Sequence, residues 1–302
     1  LPASVPPSKF DSIPDGTLSS RERPIGVFDS GVGGLTVLKE LHRKLPNESY
    51  IYFGDTHRVP YGTRSPQEIV TFARETLVWL EQMNVKMAIV ACNTSSALAL
   101  DIVRSEFPFP ILGVILPGAR AAVKAGRRIG IIATPATAKS RAYERAIAEI
   151  DPTASVWSVG CPEFVPLIEQ NRIHDPYTEG VASGYLQPLL DLEIDTLVYG
   201  CTHYPHLAPV LAKILPPHIQ LINPADSIVK AAASELQIMS LTTKSKQGKT
   251  KFCVSGCPQQ FLTRARQWIP EIQEVSRIEL PEIETIYNKA DSFTEDVVPT
   301  GL

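Results

Sequence analysis

The chain has 302 residues, 44% of them hydrophobic and 20% charged, with 26 Pro and 18 Gly. This composition excludes a collagen, a coiled coil and a wholly disordered polymer, and leaves a globular protein of one large domain or two smaller ones. With 29 Lys and Arg against 32 Asp and Glu, the net charge of −3 gives no drive toward nucleic acid or an anionic membrane, so a small-molecule partner is expected.

No apolar run approaches the roughly 20 residues that span a bilayer. The N-terminus also lacks the basic-then-apolar order of a signal peptide, so the chain reads as cytoplasmic. It begins at Leu1 rather than Met, as a truncated or processed chain does. Cys92, Cys161, Cys201, Cys253 and Cys257 are too few and of the wrong parity for a disulfide framework, and are expected as free thiols.

In chain order, residues 1–22 are rich in Pro and Ser without apolar periodicity and read as a flexible extension. Short apolar runs then alternate with amphipathic stretches. The strand candidates are PIGVF (24–28), YIYFG (50–54), MAIVA (87–91), ILGV (111–114), RIGIIA (128–133), SVWSV (155–159), TLVYG (196–200), QLIN (220–223) and KFCVS (251–255). A helix is expected over 65–84, where Ser65 precedes Pro66 and Glu68 and apolar residues recur at Ile69, Phe72, Leu77 and Leu80. Strand–helix alternation predicts an α/β protein with largely parallel sheets, and nine strands suit two doubly wound domains better than one. The expected first domain is discontinuous, 23–119 plus 227–287, with 120–226 as the second domain and 288–302 as a tail.

Two segments repeat. MAIVACNT (87–94) and TLVYGCTH (196–203) each run from an apolar strand to a Cys and then to amide, hydroxyl or imidazole side chains, about one domain length apart. Ligands of parallel α/β sheets sit at the carboxyl ends of strands, where both Cys fall. A helix N-terminus there would favour thiolate and lower the thiol pKa. One isolated Cys is most simply a small buried hydrophobe. Two in matching contexts suggest a pseudo-symmetric fold with two copies of one site geometry.

VFDSGVGGLT places Asp29 and Ser30 at another strand end, followed by glycines that admit a ligand close to backbone. It is not a dinucleotide loop, because Thr36 stands where G-x-G-x-x-G requires Gly. Gly248-Lys249-Thr250 is not a phosphate loop either, because Thr243 replaces the first Gly. Neither stretch supports ATP or NAD. Cys201 with His203, and the C-x-x-x-C of Cys253 and Cys257, lack the four convergent ligands of a structural zinc site, so no metal is expected and Cys161, Cys253 and Cys257 read as packing residues. Asn93, Thr94, Thr202 and His203 follow the two Cys and could cap helices, bind a carboxylate or move protons. Tyr61 and Gly62 read as a turn after the second strand.

Together PIGVFDSGVGGLTVLKEL, YFGDTHRVPYGTRS, VACNTSSALAL, IATPATAKSRAY, CPEFVPLIE, YGCTHYPHL and NPADSIVKAA closely resemble the glutamate racemases of the cofactor-independent aspartate/glutamate racemase family. The likeness implies a two-domain enzyme with its site in the interdomain cleft, no cofactor, a homodimer, and a cytoplasmic role supplying D-glutamate for peptidoglycan. It also implies that Cys92 and Cys201 are the two acid/base residues, Asp29 assisting the first and Glu169 with His203 the second. Ser30, Tyr61, Gly62, Asn93, Thr94, Thr137 and Thr202, together with Asp29 and His203, match positions that hold substrate. Ala133 and Cys257 depart from the family pattern, where Gly and Asp are common. Inverting a stereocentre through a planar carbanion independently requires proton removal on one face and delivery on the other. Aspartate racemisation and non-catalytic amino-acid binding on the same scaffold are the alternatives.

Overall fold

Among residues 18–281, which the computed structural model describes, ten strands pair in parallel to form two sheets. The strands are β1 (Ile25–Asp29), β2 (Tyr50–Gly54), β3 (Met87–Val90), β4 (Ile111–Gly113), β5 (Arg128–Ala133), β6 (Ser155–Gly160), β7 (Thr196–Gly200), β8 (Gln220–Ile222), β9 (Thr250–Val254) and β10 (Ser276–Arg277). One sheet has the order β10-β9-β2-β1-β3-β4 and the other β6-β5-β7-β8. The order β2-β1-β3-β4 is therefore repeated as β6-β5-β7-β8, which makes β3 and β7 topological counterparts.

The apolar runs form strands because helices cover both faces: every residue of β1, β2, β3 and β7 is buried. One core cluster of the first sheet gathers Ile25, Val27, Tyr52 and Ile89, and a second on that sheet gathers Phe28, Phe53, Ala88 and Val90. This alternation along each strand is the period of two that sends successive side chains to opposite faces. The helix expected over 65–84 spans Pro66–Gln82. It starts on a capping box in which Glu68 N–H donates to Ser65 Oγ while Ser65 N–H donates back to Glu68, and it buries Ile69, Leu77 and Leu80. Gly26 on β1 makes room for that helix, since a Cβ there would lie 2.8 Å from Leu80 Cδ2.

The chain passes from one core to the other at Val114, which packs with the first sheet, and Ile115, which packs with Ile129, Ile131 and Val198 of the second. It returns between Ile222 and Ala225. The helix Pro224–Ile238 then lays Ala225, Ile228, Val229, Ala232 and Leu236 on the first core. The boundaries expected at 119/120 and 226/227 fall inside the helices Ile115–Ala125 and Pro224–Ile238.

Three expectations meet corrections. Residues 18–22 of the expected flexible extension are pinned: Glu22 accepts from Thr243 Oγ1 at 2.7 Å and from Lys244 N–H at 3.1 Å, and Arg21 O accepts from Lys86 Nζ at 2.6 Å. Residues 1–17 and the tail 288–302 lie outside the described residues. The two-residue β10 carries no apolar pattern and forms because Ser276 and Arg277 pair with Cys253 and Val254 of β9. Cys257, read as a packing residue, is exposed, whereas Cys161 and Cys253 are buried. Among the described residues no helix is long and apolar enough to cross a membrane.

Candidate active site

Register brings the carboxyl ends of the strands together. Asp29 ends β1 level with Gly54 of β2, and Phe28 is level with Val90 of β3, so Asp29 and Cys92 leave one edge of the first sheet. In the second sheet Ala133 is level with Gly200, so Thr134 and Cys201 leave its corresponding edge side by side. The two edges enclose one cleft. It is lined by Ser30, Tyr61, Gly62, Cys92, Asn93 and Thr94 from the first half and by Thr134, Cys201, Thr202 and His203 from the second. Val59, Pro162, Val165 and Pro166 add an apolar wall.

Both thiols are buried, Cys92 at 5% and Cys201 at 6% exposure. Cys92 precedes the short helix Asn93–Leu98, and the nearby Ser95 backbone N–H and hydroxyl favour thiolate. Burial is the larger effect and the nearby Asp29 carboxylate adds to it, so the thiol is pushed up to about 12. The lowered pKa expected at this helix end is therefore overturned for Cys92. Cys201 is followed not by an α-helix but by a tight 3₁₀ turn, Tyr204–Leu207. Its Sγ lies 3.8 Å from His203 Nδ1.

His203 Nε2 is 2.8 Å from Glu169 Oε1, and Arg264 Nη1 donates to Glu169 Oε2 at 2.7 Å. Burial alone would lower the His203 pKa, but hydrogen bonding and charge at Cys201 and Glu169 outweigh it and hold the imidazole well above its ordinary value. Burial likewise raises Glu169, and the His203 and Arg264 partners more than reverse that. Glu169 and Arg264 stand behind His203, outside the residues that line the cleft. The imidazole fits there because Gly33 has no side chain: a Cβ at that position would lie 2.4 Å from both His203 Nδ1 and Thr202 Oγ1.

Asp29, fully buried, accepts from Gly31 N–H at 2.9 Å and from Thr202 Oγ1 at 3.2 Å, so its carboxylate links the two halves. Thr94, Thr134 and Thr137 form a hydroxyl triangle with edges of 3.0, 3.2 and 3.0 Å. Asn93 Oδ1 accepts from Tyr143 O–H at 2.8 Å, which aims its amide nitrogen elsewhere. Tyr61 donates to Asp55, which also accepts from Arg58 Nε at 2.6 Å and from Ser255 Oγ at 2.6 Å. Gly62 lets this turn approach the second half, since a Cβ would lie 2.6 Å from Thr134 Cβ.

The structure thus places Ser30, Tyr61, Gly62, Cys92, Asn93, Thr94, Cys201, Thr202 and His203 on one cleft, with Asp29 behind Thr202, Glu169 behind His203 and Thr137 behind Thr94, all three outside its lining. Sequence reasoning missed Thr134, Tyr143 and Arg264. Thr134 was legible as the N-cap before Pro135, whose hydroxyl accepts from Thr137 N–H. Arg264, one charged residue on a surface helix, carried no local signal. Among the described residues no group of three or more His, Cys, Asp or Glu is arranged to hold a metal ion.

Comparison with known proteins agrees with this fold. The Asp/Glu/Hydantoin racemase family model matches residues 25–232. A glutamate racemase of Synechocystis sp. is 63% identical over 262 residues, covering 87% of this chain and 94% of that protein. The crystal structure of a glutamate racemase isoform from Bacillus anthracis superposes with a TM-score of 0.84 at 37% identity, covering 86% of this chain and 99% of the other. A Francisella tularensis glutamate racemase in complex with D-glutamate superposes with a TM-score of 0.81 at 39% identity, covering 88% and 99%. The chain belongs to the Asp/Glu/Hydantoin racemase family, among the glutamate racemases.

Proposed function

We propose that this protein interconverts L- and D-glutamate by two-thiol proton transfer, with Cys92 and Cys201 as the acid/base pair. One observation carries the reading: two buried thiols, at the ends of topologically equivalent strands in two sheets, line a single cleft. A substrate between them has its α-carbon flanked by one proton acceptor and one proton donor, which inversion requires. Cys92, with its high pKa, is the donor in the resting protein. Cys201 passes its own proton to His203 and, as thiolate, takes the α-proton in that direction, while Glu169 supports the imidazolium formed by the first transfer. In reverse the roles exchange, and a substrate ammonium near Asp29 offsets the carboxylate that raises Cys92.

The cleft lining contains no Lys or Arg. Substrate carboxylates would therefore be met by fixed neutral donors: Ser30, Asn93, Thr94, Thr137 with its newly seen partner Thr134, Thr202, and backbone N–H groups near Gly62. Preorganised dipoles in a water-poor site stabilise a developing carbanion without reorganising during reaction. Identity to glutamate racemases, and the complex of one of them with D-glutamate, favour glutamate over aspartate. The proposal includes action in the cytoplasm, with D-glutamate passing to peptidoglycan synthesis. It also includes a homodimer, checked by light scattering of the purified protein.

The test is proton NMR with L- and, separately, D-glutamate in D₂O without added cofactor, together with optical rotation. Loss of the α-proton signal and of rotation from either enantiomer is expected, falling at least about 1000-fold in Cys92→Ser and Cys201→Ser because a hydroxyl is a far weaker acid at neutral pH. Binding of glutamate without α-proton exchange by a folded sample would instead leave a non-catalytic amino-acid binder.

A further inference from the structure

Arg264 belongs to the helix Pro258–Ala265, which follows β9 of the first sheet, yet its guanidinium reaches Glu169 at the end of the helix Phe164–Glu169 in the other half. Glu169 divides its two oxygens: Oε2 accepts from Arg264 at 2.7 Å and Oε1 meets His203 Nε2 at 2.8 Å, which leaves Nδ1 facing Cys201 Sγ. Four side chains thus form an open line from solvent to thiol, with the Arg264 side chain 43% and Glu169 14% exposed. Four residues beyond Arg264, Trp268 packs against cores of both halves and stacks on His206 with ring centroids 4.2 Å apart. The segment therefore braces both the carboxylate behind His203 and the turn that carries it.

We propose that Arg264 is a positioning residue for Cys201: by clamping one oxygen of Glu169 it fixes the other on His203, and so sets the imidazole that serves the second thiol. This rests on the two-thiol reading above. A carboxylate held by a single partner can rotate about its terminal torsion, whereas one held at both oxygens cannot without breaking a charge-assisted bond. Other titratable groups face the same place. Burial, then the charge of His203 and of Lys39, takes His206 down to about 4 against the opposing pull of Glu169, so it is neutral at neutral pH. Burial, with Asp29, Cys92 and Glu169 adding to it, holds the Tyr52 phenol well above its ordinary value and neutral. His203 and Arg264 are the cations that hold Glu169 below its ordinary value, so loss of Arg264 raises it.

The experiment compares Arg264→Met and Arg264→Lys in the full chain, reading kcat and KM for both enantiomers across pH, with thermal unfolding alongside. Arg264→Met is expected to lower kcat about tenfold, the low end for a hydrogen bond between charged groups because the guanidinium is partly exposed. KM should stay near parental, since Arg264 does not line the cleft. The acid limb of kcat/KM should move to higher pH as Glu169 protonates sooner, and Arg264→Lys should restore most of the rate and the limb. An unmoved pH profile in a folded Arg264→Met protein, whether its rate is parental or its loss merely tracks a lower Tm, overturns the proposal. Cys201→Ser is run in parallel: if it still racemises at the parental rate, the two-thiol reading itself fails, independently of what Arg264 does.

Discussion

The two cysteines of the cleft share a strand-end position and differ in company. Cys92 stands near a carboxylate and Cys201 near an imidazole, so burial and charge leave the first a thiol while the second has a proton carrier in reach. That asymmetry depends on a residue with no side chain. Gly33→Ala would drive a methyl group into His203 and Thr202, and overpacking of this kind costs about 1–3 kcal/mol. Because the displaced ring is the one that serves Cys201, kcat should fall along with Tm. Parental Tm and parental racemisation rate in Gly33→Ala would show that the ring has slack which this structure does not suggest.

Element formation follows local chemistry closely where the sequence supplies it. The helix Pro66–Gln82 has Ser65 as cap, Pro66 in its first turn, Glu68 closing the capping box and an apolar stripe to bury. Ser65→Ala should cost about 1 kcal/mol, measured by denaturant unfolding, with racemisation kinetics unchanged because Ser65 lies outside the cleft lining. No loss of stability would mean that tertiary packing alone holds the helix start. The nine apolar strand candidates all form strands: β1, β2, β3 and β7 are buried on both faces within a covered sheet, whereas β6 and β8, at the edges of the second sheet, stay partly open. The tenth strand was illegible because Ser276–Arg277 offers no pattern, and only the free edge of β9 defines it. Likewise the end of β7 suggested a helix directly after Cys201, but the chain first makes a 3₁₀ turn, which places His203 beside the thiol.

The whole molecule is tied by contacts between segments remote in sequence. Lys86 donates to Arg21 O, Leu241 O and the Glu48 carboxylate, with side-chain exposures of 1% for Lys86 and 2% for Glu48. Removing one partner of a buried pair strands the other charge, so Lys86→Met should cost about 3–5 kcal/mol, whereas Lys86→Met with Glu48→Gln should cost clearly less. Chemical denaturation of the two variants decides this, and equal losses would show that Lys86 acts through its carbonyl partners rather than through the ion pair. The same long-range logic builds the cleft, where Thr202 of one half donates to Asp29 of the other and Thr94 meets Thr134 and Thr137.

By itself the sequence determined the elements and the chemistry at their ends. Hydrophobic period, caps and glycines act over a few residues, so they are written locally, and the repeated strand–Cys pattern could be read as two halves of one site. Only the tertiary structure decided which strand lies beside which, at which loop the chain crosses between cores, and which side chains complete the site. The threonine triangle, the Tyr143 bond to Asn93 and the line from Arg264 through Glu169 and His203 to Cys201 join residues 34 to 95 positions apart at their longer steps. Hydrogen bonds act over about 3 Å of space whatever the separation along the chain, so no local pattern announces them. Burial, which pushes Cys92 up rather than down, is likewise a property of the packed molecule and not of its helix end.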